Sequence, residues 1–120
     1  MYCILFVWVL AATACKDAPS PAEIADRGWR AHELVVAAGE RAKTCAEAGP
    51  AMQRVFAEHR GAFVAALALD RDRQKLAEAT AYLEEHAQRY VDLETRMEAL
   101  AERCATDPAV VAVFAQMESP

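Results

Sequence analysis

LAEATAYLEEHAQRYVDLETRMEALAERC, residues Leu76 to Cys104, decides the fold. Leu76, Leu83, Tyr90, Met97 and Cys104 recur every seven residues. Ala79, His86, Leu93 and Leu100 follow three places behind. Two apolar positions per heptad, held over four heptads, define a helix packed along a continuous seam. Off the seam, Glu85/Arg89 and Asp92/Arg96 are spaced to pair four residues apart on a solvated face. Glu94, Glu98 and Glu102 are also four apart, which a solvated face explains without acid–base chemistry.

Working back toward the N-terminus, Asp70-Arg71-Asp72 supplies a break with good N-cap residues. A second helix is expected from about Pro50 to Leu69-Asp70. It carries Met52, Val55, Phe56, His59, Phe63, Ala66 and Leu67 at helical spacing. A first helix opens on Ser20-Pro21-Ala22-Glu23, a capping box with Pro at its first position. Its stripe runs Ile24, Gly28, Ala31, Val35, Ala38, Ala42, Cys45, and Gly49-Pro50 is expected to end it. Downstream, Thr106-Asp107-Pro108 opens a short fourth helix with Val110, Val111, Val113, Phe114 and Met117 as its apolar surface.

The expected fold is all-α: an up-down-up three-helix bundle over residues 21–120 with a short fourth C-terminal helix. In that arrangement Cys45 and Cys104 end their stripes at one end of the bundle. A disulfide between them would close a 59-residue loop and stabilise by about 4 kcal/mol. The third stripe outruns the second, and either the fourth helix or a second copy is expected to cover the excess.

Residues 2–14 form one uncharged, mostly apolar run, and all 13 basic and 18 acidic residues lie from Lys16 onward. The run is short of the roughly 18 to 20 residues a spanning helix needs and fits a signal peptide, residues 1–14. Ala12-Thr13-Ala14-Cys15 resembles the bacterial lipobox, with Ala12 where Leu is usual. That resemblance implies lipidation at Cys15, a tether over residues 15–20, a membrane anchor, and location in a bacterial envelope. Ala12-x-Ala14 also suits ordinary signal peptidase, which leaves Cys15 unmodified. The envelope is oxidising, which favours the Cys45–Cys104 bridge. The mature domain is similar to small envelope lipoproteins that are helical bundles with one disulfide.

A net charge of −5 with no basic patch argues against nucleic acid. The sequence has no phosphate loop, no Cys-x-x-Cys-His, no His-Glu-x-x-His and no Ser/His/Asp spacing, so no enzyme and no cofactor is expected. Met52, His59 and His86 are weak candidate metal ligands. If the hairpin turns near residue 70, Met52 and His86 lie at similar height across it. The leading expectation is a non-catalytic structural or protein-interaction module, with a protein partner or a homodimer. The alternative is a small-molecule, haem or metal carrier using the bundle interior. Tyr82, just off the seam, and Trp29 are expected to offer a partner-binding surface.

Overall fold

The computed structural model describes residues 18–120, which hold five α-helices, no strand and one disulfide. The signal peptide, the lipobox-like segment and Cys15 lie outside these residues. Helix α1 spans Pro21–Arg41 and α2 spans Cys45–Ala68. A 3-10 turn, Leu69–Arg71, leads to α3, Arg73–Glu85. Helix α4 follows at Ala87–Arg103 and α5 at Pro108–Glu118. No helix among the described residues is long and apolar enough to cross a membrane.

The starts of α1, α3 and α5 follow their sequence signals. Ser20 accepts from the Glu23 amide while Glu23 accepts from the Ser20 amide, and Pro21 holds the first turn. Asp72 accepts from the Gln74 and Lys75 amides at 3.0 and 3.1 Å. Asp107 does the same for Ala109 and Val110 at the start of α5.

Gly49-Pro50 does not end the first helix, contrary to the sequence expectation. The chain breaks earlier, at Ala42, and restarts at Thr44. The Thr44 hydroxyl accepts from the Glu47 amide at 3.2 Å, and the Glu47 carboxylate takes the Lys43 amide. That capping pair sets the start of α2. Pro50 therefore falls in the second helical turn, where its missing N–H removes one intrahelical bond. Gly49 is needed for close approach, because a Cβ there would meet the Ala109 Cβ of α5 at 2.6 Å.

The expected third helix is divided in two at His86. Its ring Nδ1 bonds the Tyr82 carbonyl at 2.8 Å, the carbonyl that the His86 amide would take in a regular helix. The His86 amide turns to Leu83 instead, at 3.1 Å, with backbone angles φ −116° and ψ 28°. A side chain inserted into the i→i−4 ladder is a sufficient cause of a kink.

Helix α1 packs against α2 on one side and against α3 and α4 on the other, and α5 packs on α2. Going up α1, the contacts with α3 and α4 also ascend: Asp26 bonds Tyr82, Glu40 bonds Arg96, and just past α1 Cys45 is bridged to Cys104. The bridged Cα atoms are 5.5 Å apart. Cys45 reaches its partner as the first residue of α2, not as the last of α1's stripe. The main core, with Val35, Val36, Met52, Phe56, Val110 and Val113, fills the disulfide half. A second core at the opposite end is built from Ala25, Leu69 and Ala79. No charged or polar residue is buried among those described.

Candidate interaction groove

Between the two cores lies an apolar cavity of about 280 Å3. Its floor is α1, through Ala25, Gly28 and His32. One wall is the end of α2 and the 3-10 turn that follows it, with Ala66 and Leu69. The other wall is the seam of α3 and α4: Leu76, Leu83, Tyr90 and Met97. These are the four leading heptad positions of the opening stretch. Leu76 and Tyr90 remain 38% and 43% exposed, large values for seam residues.

Helix α5 explains why the seam is open here and closed elsewhere. It follows α2 from Gly49, which it meets at Ala109, past Gln53, which bonds Gln116, to Arg60, which bonds the Pro120 carbonyl. Its Val110, Val113 and Met117 complete the main core. It stops short of Ala66 and Leu69, so the groove beyond Arg60 has no covering helix among the described residues. Of the two covers expected for the excess seam, a short C-terminal helix or a second copy, the helix lies over the disulfide half.

Polar groups ring this cavity. His32 Nδ1 bonds the Gly28 carbonyl at 2.7 Å and its ring lies 4.4 Å from that of Phe63. Burial holds the imidazole below its ordinary pKa of 6.5, against the pull of that bond, so the neutral ring is favoured. Burial and the neighbouring Glu94 carboxylate push the Tyr90 phenol up. The charged side chains lining the cavity are Asp70 and Glu94; no Lys or Arg lines it. The Trp29 indole N–H is buried without a hydrogen-bond partner.

Trp29 and Tyr82 offer less free surface than the sequence suggests. Both are half-buried. The Arg89 guanidinium sits 3.9 Å over the Trp29 ring, and Tyr82 donates to Asp26 at 2.5 Å while stacking on His86. The same preference for cross-helix partners redirects the expected helix-surface pairs. Arg96 turns from Asp92 to grip both Glu40 oxygens, at 2.6 and 3.2 Å. Arg89 turns from Glu85 to Trp29. Asp26 is held below the usual carboxylate range first by the Tyr82 hydroxyl and then by Arg30.

The three weak metal candidates are dispersed. Met52 is fully buried in the main core, and Leu100 and the Met52 sulfur are the nearest side-chain atoms to the Gly39 position. His86 sits at the α3–α4 joint beside Trp29, Tyr82 and Arg89. Met52 is thus level with Leu100, two heptads beyond His86, since both meet Gly39 of α1. His59 is half-buried on α2. No group of three or more His, Cys, Asp or Glu that could hold a metal forms among the described residues. The chain matches no protein-family model, no curated protein and no solved structure.

Proposed function

We propose that this chain is a lipid-anchored protein of a bacterial envelope and acts as a non-catalytic protein-interaction module. In this reading residues 1–14 are removed, Cys15 is lipidated, and residues 15–20 tether an up-down-up bundle that ends in a short C-terminal helix. The groove beyond α5 is the binding face. The observation that carries the reading is the open seam: Leu76, Leu83, Tyr90 and Met97 form a continuous apolar wall that the chain's own C-terminal helix leaves uncovered. The Cys45–Cys104 disulfide supports an oxidising compartment.

The test is a photo-crosslinking amino acid placed at Tyr90 or, as control, at exposed Arg54 in the full chain expressed in cells. The reading expects a discrete protein adduct from position 90 and none from position 54. No adduct at 90 removes it. The cavity also favours a second reading, a carrier of a small apolar molecule. That reading expects a low-molecular-mass compound on the purified protein, detectable by native mass spectrometry, in place of a protein adduct.

A further inference from the structure

We infer that the occupant of the open groove is an amphipathic helix of a partner protein, apolar on one face and flanked by Lys or Arg. This inference rests on the groove being the binding face, and it adds the chemistry of what binds there. Helix α5 supplies the template. In the disulfide half the same trough is filled by a helix that inserts Val110, Val113 and Met117, a spacing of three and then four residues. The open half adjoins that trough, walled by the end of α2 and its 3-10 turn on one side and by α3 and α4 on the other, with Met97 packed against the filled part. A helix laid in line with α5 would cover the exposed seam, the usual geometry of helix-in-groove recognition.

Charge selects among such helices. Asp70 on one wall and Glu94 on the other are the charged groups lining the cavity, and exposed Glu98 lies one turn beyond Glu94. A partner with cations beside its apolar stripe meets both walls favourably, whereas an acidic helix is repelled. A second copy of this chain is a poorer occupant. A two-fold contact through this groove would bring the Asp70 and Glu94 of each copy toward those of the other, in a chain of net charge −5.

The experiment titrates the purified full chain with three fluorescent 14-residue helical peptides, read by anisotropy. One carries Leu at positions i, i+3 and i+7 with Lys flanks. The second exchanges Lys for Glu, and the third exchanges Leu for Ala. The Lys–Leu peptide should bind at least about tenfold more tightly than either of the others at low salt, and more weakly as salt rises. The double variant Asp70→Lys, Glu94→Lys should reverse the preference toward the Glu-flanked peptide. Should that variant misfold, Glu94→Gln must still narrow the gap between the two Leu peptides. Equal binding of the Lys and Glu peptides, or a preference unmoved by these substitutions, overturns the inference. So does a concentration-dependent dimer, seen by sedimentation, in which Tyr90 becomes protected. If Tyr90 crosslinks to a protein in cells while none of the peptides binds, the groove remains the binding face and the basic-helix inference falls.

Discussion

Gly49 and Gly61 lie in the same helix and predict opposite outcomes. A Cβ at Gly49 would stand 2.6 Å from the Ala109 Cβ, so Gly49→Ala must push α5 outward. We expect a loss of about 1–3 kcal/mol in urea unfolding. Gly61 has nothing within 4 Å of its Cβ position, so Gly61→Ala should raise stability by about 0.5–1 kcal/mol through helix propensity alone. His32 gives a pH dependence at the same scale. Its folded pKa lies below the ordinary 6.5, so between the two values the unfolded chain binds the extra proton. Stability therefore falls as pH falls through 6.5. The lowered carboxylates Asp26 and Glu40 act in the same direction at lower pH: their contribution is present at neutral pH and is lost as pH falls through the ordinary carboxylate range. The urea midpoint should therefore drop between pH 7 and pH 5, and His32→Asn, which keeps a donor for the Gly28 carbonyl, should flatten that slope. A slope unchanged by the substitution would contradict the assignment.

At the scale of elements, local signals were legible wherever a residue acts on its own neighbours. Ser20, Asp72 and Asp107 each read as a cap and each caps. Asp72→Ala should cost about 1 kcal/mol, and the loss should appear as faster amide exchange in the first turn of α3. The two misread boundaries share one cause: a residue whose role depends on something distant or on a side-chain rotamer. Gly49 looks like a helix terminator, but what it serves is Ala109, 60 positions on. The boundary is set instead by Thr44-x-x-Glu47, a local capping pattern that lies ahead of the glycine and proline. His86 fits the heptad as a core position, and nothing in the spacing tells that its ring bonds the Tyr82 carbonyl. His86→Leu should restore a continuous helix from Arg73 to Arg103 and lengthen the protected amide ladder across the joint. Persistence of unprotected amides at 86–87 would assign the kink to packing instead.

For the whole molecule, the Cys45–Cys104 disulfide forms at the expected end, although Cys45 opens α2 and does not close the stripe of α1. Cys45 belongs to α2, yet the short turn at Ala42–Thr44 leaves it at the same end as Cys104, so the pairing survives the boundary error. Its 59-residue loop should contribute about 4 kcal/mol, and Cys45→Ala/Cys104→Ala should show that loss in urea unfolding. The groove was legible in its parts and not as a whole. The stripe Leu76, Leu83, Tyr90, Met97 and the shortness of the last helix can both be read from residue spacing. Where α5 would lie, and so which half of the seam stays open, depends on the close Gly49–Ala109 approach and on Gln53 meeting Gln116 and Arg60 meeting Pro120. The most direct measurement of the claim that this open half is an occupied binding face is maleimide reactivity of Tyr90→Cys, with Arg54→Cys as reference. In the purified protein both thiols should react at similar rates. In intact cells position 90 should be strongly protected while position 54 is not. Equal reactivity of the two positions in cells would contradict the account.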